Sequence, residues 1–292
     1  MHDYLKAIGF SQIRKKEELD ELVQKVILSP DEKIYFKKNE ESAIVQLNKD
    51  FSECFGISVV GEMNQKGIMD VEYSYPYVKG NNMFYQEEIH LEKYSDREAY
   101  AGVCDNVNIG VPLIFYIHNF VHYLNMRKYE EMFPKINTAV LSGLSLQGTV
   151  ILNIEKDENQ IKKERVSNRN RNQLLEAAKE GNMEAIEILT LDDMDLYTMI
   201  SKRAKKEDVF TIVDSYCIPY GIESDKYSMM GTIQEVNEYT NSQTGEEVYY
   251  MAISCNDLDF EICINKKDLL GEPVRGRRFK GVVWLQGMVD YI

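Results

Sequence analysis

The sequence predicts an α+β protein. A mixed N-terminal domain with an antiparallel sheet is followed by a short charged and helical linker block and a C-terminal OB-like small β-barrel. Three observations predict this. Helical spacing of apolar residues occurs only in short stretches. Alternating β-branched and aromatic runs, bounded by turn clusters, fill much of both ends. One strongly polar stretch, 155–173, separates the ends. The expected divisions are 1–158, 159–206 and 207–292.

Residues 1 to about 30 read as helical, because Leu19, Leu22, Val23, Val26 and Ile27 recur at three- and four-residue spacing before Ser29-Pro30-Asp31. Strands are expected at 43–47, 54–61, 68–77, 84–92, 99–104, 111–117 and 140–154. Tyr73, Tyr75 and Tyr77 alternate as one aromatic face would. A helix is expected over 119–132. After the polar stretch, Leu174, Leu175, Ala177 and Ala178 lead to Gly181-Asn182, a helix end. Residues 183–189 read as a second short helix, and Thr190 as the N-cap of a third. Five further strands are expected at 209–217, 229–239, 248–255, 260–264 and 279–291, with a helical turn at 267–270. Five strands with a helix before the last give the OB-like expectation.

Composition narrows the class. The 292 residues carry 34 Lys plus Arg against 48 Asp plus Glu, a net charge of −14, and 44% are hydrophobic. That much apolar sequence excludes disorder, and 6 Pro with 17 Gly exclude collagen-like repeats. No apolar run approaches the ~20 residues of a membrane span. The start lacks the basic and then apolar pattern of a signal peptide. The five cysteines are scattered, with no Cys-x-x-Cys. In the hairpin 251–264, Met251, Ile253 and Cys255 share a face with Phe260, Ile262 and Ile264, around a turn placed at Asp257-Leu258. Cys263 then faces away from Cys255, so a disulfide between them is not expected. A reduced, cytoplasmic chain follows.

Candidate sites are few. His118-x-x-x-His122 places two histidines on one helix face, with His90 on a neighbouring element, but Asn119 stands where His-Glu-x-x-His needs glutamate. Two ordinary histidines is the preferred reading, and no metal or other cofactor is assigned. Gly143-Leu144-Ser145-Leu146-Gln147 lacks the closing glycine of a nucleophile elbow and leads into a strand, so Gly143 and Gly148 read as bends in a strand pair. No phosphate-cradling glycine loop occurs. Charge is unevenly placed. Lys266, Lys267, Arg275, Arg277, Arg278 and Lys280 outweigh Asp268 and Glu272 by four. Residues 161–173 carry a second +4. The first island is the candidate contact for an anion or single-stranded nucleic acid. The competing reading pairs these cations with the acidic body, whose net charge opposes polyanions. Trp284, between Val283 and Leu285, reads as a core anchor first and a stacking platform second.

The segments Tyr4-Leu5-Lys6-Ala7-Ile8-Gly9-Phe10-Ser11, Asp268-Leu269-Leu270-Gly271-Glu272-Pro273, Gly276-Arg277-Arg278-Phe279-Lys280-Gly281 and Trp284-Leu285-Gln286-Gly287 carry a resemblance. The chain resembles, over nearly its whole length, an uncharacterised bacterial family of proteins of unknown function. That resemblance implies a cytoplasmic protein of anaerobe type and supplies no activity, ligand or catalytic residue. The functional expectation is a cytoplasmic, non-catalytic binding or scaffolding protein. Its partner would be another protein or a second copy of the chain, without a membrane, and nucleic acid is disfavoured. The alternatives are anion or single-stranded nucleic-acid binding by the basic loop, and an enzyme with an unrecognised site near His118 and His122.

Overall fold

Residues 4–9 are anchored rather than free. Tyr4, Leu5, Ala7 and Ile8 are buried on a 3-10 turn, Asp3–Ile8. Asn241 Nδ2 and Thr244 Oγ1 donate to the Ile8 and Gly9 carbonyls at 2.8 and 2.6 Å. Gly9 has φ +87° with the Asn241 side chain hard against it, so a β-carbon would be strained in both conformation and space. The structure, a computed structural model, describes residues 3–85, 88–94, 97–105, 111–129, 136, 138–154, 166–167, 170–171, 173–178, 180–222 and 225–290. The expected 1–30 helix therefore divides. Only α1, Lys16–Leu28, is α-helical, and it buries Leu22, Val23 and Val26. The Glu18 carboxylate caps its start by accepting from the Arg14 and Lys15 amides.

Strands β1 (Glu32–Lys37), β2 (Ser42–Asp50), β3 (Phe55–Asn64) and β4 (Met69–Val78) form a four-stranded antiparallel meander in chain order. β1 was not expected from sequence. It follows Ser29-Pro30-Asp31 directly, and its burial pattern shows one buried residue, Ile34. The expected 84–92 strand is two short ones, β5 (Met83–Tyr85) and β6 (His90–Lys93), which pair with different partners. Then come β7 (Tyr100–Asp105), β8 (Pro112–Ile117), α2 (Phe120–Tyr129) and β9 (Thr138–Ile151).

The helical block differs from expectation. Met183–Arg203 is one 21-residue helix, α3, capped by the Asn182 side chain. Thr190 does not start a new helix, because its hydroxyl donates to Ile186 O, one turn back in the same helix, at 2.7 Å. Residues 209–217 are not one strand. Asp208 caps a single turn, α4 (Val209–Ile212), and β10 (Tyr216–Pro219) follows. The remaining elements are β11 (Lys226–Thr240), β12 (Glu247–Cys255), β13 (Leu258–Asn265), a 3-10 turn at Lys266–Asp268, β14 (Leu269–Leu270) and β15 (Arg278–Asp290).

Five strands close a barrel in the order β11, β12, β13, β9, β15 and back to β11. All neighbours are antiparallel except β13 and β9. A meander of three strands, a helical turn after the third and one parallel pair are OB-like features. Here the strand parallel to β13 comes first in the chain. The boundary expected at 158 therefore falls after a barrel strand, and the barrel joins 138–151 to 226–290. The β12–β13 hairpin turns at Asn256-Asp257, both with positive φ, one residue before the expected turn. Its register pairs Ile253 with Phe260 and Met251 with Ile262, while Cys263 opposes Tyr250 on the other face. Gly143 and Gly148 do more than bend β9. A β-carbon at 143 would strike Val283, and one at 148 would strike the Phe279 ring, so the glycines make room for the barrel filling. Outside, the end of β4 docks on the barrel: Gln286 Nε2 donates to Pro76 O and Ser142 Oγ to Val78 O. That docking is why the outward faces of β9 and β15 are also buried.

Candidate functional site

The six basic residues of the C-terminal island do not converge. Lys266 bridges Glu238 at 2.7 Å and Glu247 at 3.1 Å, and hydrogen bonding to Glu238 holds its ammonium above the usual lysine range. Lys267 lies 3.9 Å from Glu246. Arg277 donates to Glu272 O and lies 3.7 Å from its carboxylate. Arg278 is 2% exposed, and its guanidinium donates to the carbonyls of Leu152, Phe210 and Val213. Burial pulls its pKa down, and the nearby Asp214 charge opposes that shift. Lys280 stands 4.1 Å over the Phe210 ring. Arg275 is exposed and has no partner among the described residues. Arg278 and Lys280 line a common cavity of about 930 Å³, but both are engaged with the protein itself. Of the second island, 161–165, 168–169 and 172 lie outside the described residues, and Arg171 pairs with Asp193.

The histidines come closer together. His118 precedes α2 instead of lying on it, because the Asn119 side chain is committed to both backbone groups of Val289. The pair is therefore not one turn apart on a single helix. His90 is on β6, exposed, 3.7 Å from Glu88. Among the described residues, no group of three His, Cys, Asp or Glu could hold a metal ion.

His118 and His122 line a cleft of about 1010 Å³ where β1, β2 and β4 meet α2 and the ends of β9 and β15. The His118 ring stacks on Tyr77, centroids 6.1 Å apart and 9° from parallel. Burial, and then the nearby Lys79 ammonium, push its pKa down to about 4, so the ring is neutral at pH 7. Tyr77 donates to one Asp50 oxygen at 2.5 Å, and Lys79 pairs with the other at 2.6 Å. Asp31 receives the Asp50 amide, and Glu32 receives Asn48 Nδ2. Asp290 also lines the cleft, so four carboxylates face one lysine. On the wall, Gln46 is 1% exposed. Its Nε2 donates to His118 O at 2.7 Å, while its Oε1 is buried with no hydrogen-bond partner. Sequence reasoning found the Tyr73–Tyr75–Tyr77 alternation but not Gln46, Asp50 or Lys79. Gln46 and Asp50 are both on β2, and Lys79 reaches Asp50 only because β3 pairs with β2 on one side and with β4 on the other.

Among the described residues, no helix is long and apolar enough to cross a membrane. No curated protein and no solved structure matches the chain. Residues 5–287 match the family described as "Domain of unknown function, E. rectale Gene description (DUF3881)". With nearly the whole chain matched, the protein belongs to the DUF3881 family.

Proposed function

We propose that this is a non-catalytic binding protein whose cleft at Gln46 and His118 takes a small cationic, amine-bearing ligand. The observation that carries the reading is Gln46 Oε1, a buried acceptor without a donor in a cleft that holds four carboxylates and one lysine. An ammonium group supplies the missing donor, and carboxylates favour its charge. The Lys79–Asp50 pair already places one ammonium in that environment. The chain's net charge of −14 adds attraction for cations at longer range. A binding role suits the site better than acid–base chemistry, since His118 with its low pKa is a weak base and Asp50 is already doubly engaged. The anion reading retains, among the described residues of the basic island, the exposed Arg275 as its support. We place the protein in the bacterial cytoplasm, a reading supported by five buried, unpaired cysteines.

The test is calorimetric titration with putrescine and spermidine, with citrate as anionic control. Saturable binding of an amine is expected, weakened at least tenfold in Gln46→Leu and by added salt. Absence of amine binding, or binding indifferent to Gln46→Leu, sinks the reading.

A further inference from the structure

On the other side of Tyr75 lies a second, smaller pocket of about 230 Å³, between the N-terminal 3-10 turn, β4, β8 and β15. Its lining is aromatic: Tyr4, Tyr73, Tyr75, Tyr116 and Trp284. The rings brace one another, with Tyr4–Trp284 at 5.3 Å, Tyr116–Trp284 at 5.4 Å and Tyr75–Tyr116 at 4.9 Å. Tyr116 is 3% exposed, and its hydroxyl has no hydrogen-bond partner. The Tyr73 and Tyr75 hydroxyls lie near it, but Tyr73 already donates to Glu98 O at 2.6 Å and Tyr75 to His118 O at 3.2 Å. Neither has a proton left to give, so any bond among the three uses the Tyr116 proton and leaves the Tyr116 oxygen without a donor.

We infer that this pocket binds one planar heteroaromatic ring of nucleobase size. Aromatic walls favour a flat π-face, which stacks without needing a particular ring. The Tyr116 oxygen favours a ring edge that carries an N–H donor, because a purely hydrocarbon ring leaves that oxygen without one. The rim disfavours strong net charge. Arg97 and Lys226 are balanced by Asp3 and Asp225, and Asp225 is held by Trp284 Nε1 at 2.9 Å and Tyr94 at 3.1 Å. Arg97 also stands 5.5 Å over the Tyr73 ring, at the edge where a stacked ligand would enter. This site is separate from the amine cleft, although the two share a wall. Gln46 on the cleft side and Tyr75 on the pocket side both bond His118 O.

Trp284 is the protein's sole tryptophan, so its fluorescence reports on this pocket. Adenosine, guanosine, cytidine and uridine are titrated into the full chain, followed by fluorescence and by calorimetry, with toluene as the ring lacking a polar edge. The expected result is saturable quenching by at least one nucleoside and none by toluene. Tyr116→Phe should weaken the nucleoside at least fivefold. Should that variant not fold, Arg97→Ala, at an exposed position, should weaken it about threefold. Spermidine should not displace the nucleoside. The inference is overturned if no nucleoside binds at millimolar concentration, if the folded variant binds as wild type does, or if spermidine competes.

Discussion

The barrel and helix α3 use the same kinds of apolar residue to opposite ends. In the barrel, Phe260, Ile262, Ile264, Phe279 and Val283 are wholly buried, and glycines on β9 and β15 are cleared for the phenylalanine ring. On α3, Leu191, Met194 and Tyr197 are 57%, 63% and 74% exposed, and only Ala185 and Leu189 are buried. Hydrophobicity alone therefore does not mark core in this chain. What separates the two regions is closure. A barrel strand has two hydrogen-bonded neighbours and an enclosed face, whereas a helix satisfies its backbone within itself and need not bury its side chains.

The largest effects should come from the barrel. Phe279→Ala removes a fully buried ring at a site where Gly148 and Gly281 offer no side chain to fill the gap. A loss of about 3–5 kcal/mol is expected in urea unfolding. A loss below about 1 kcal/mol would mean that the barrel is not the stabilising unit. Next is Arg278→Met, which keeps the apolar stem but leaves three carbonyls without their donor. About 2–4 kcal/mol should be lost. Lys266→Ala, on the exposed double bridge to Glu238 and Glu247, should leave stability unchanged. Equal costs at both positions would erase the distinction between a structural and a surface cation.

Local sequence carried the hairpins, and distant pairing hid the rest. The β12–β13 face could be read from alternation alone, because its register runs over eight consecutive pairs around one turn and either neighbouring turn gives the same parity. β9 could be recognised as a strand but not as part of the barrel. Its barrel partners, β13 and β15, lie beyond the polar stretch, with Thr138 opposite Asp290. The basic island was visible as a count, but a count does not show that Arg278 turns inward or that Lys266 meets two glutamates. Both cavities are tertiary products. Tyr4, Tyr75, Tyr116 and Trp284 come from four separate elements, and each reads singly as a core aromatic.

Two buried titratable groups should shape the pH response in opposite directions. Glu261 faces outward from β13 and accepts from the Asn82 amide, and its Oε2 is without a partner. Burial raises its pKa from 4.5 to about 7, with Asp259 adding to the rise. The folded state therefore holds this proton more tightly than the unfolded state. The resulting stability is complete below pH 4.5 and is lost as pH rises toward 7. His118, lowered from 6.5 to about 4, works the other way: its contribution is complete above pH 6.5 and is lost as pH falls toward 4. Glu261→Gln should raise Tm relative to wild type by a few degrees at pH 8 and by less at pH 5. His118→Gln should flatten the acid side only. A wild-type-minus-variant difference that does not change with pH would remove either assignment.

The smallest effect should fall on α3. Leu191→Ala and Met194→Ala each shorten a side chain that is more than half exposed, so each should change stability by no more than about 0.5 kcal/mol. Backbone amides of 183–203 should exchange with deuterium well before those of β9 and β15, since only Ala185 and Leu189 of this helix are buried. Both readouts bear on the contrast with the barrel. A core-sized loss at Leu191, or barrel-like protection along α3, would mean that the apolar helix is covered in solution. Closure would then not distinguish the two regions, and the exposed row would have to be counted as an interface.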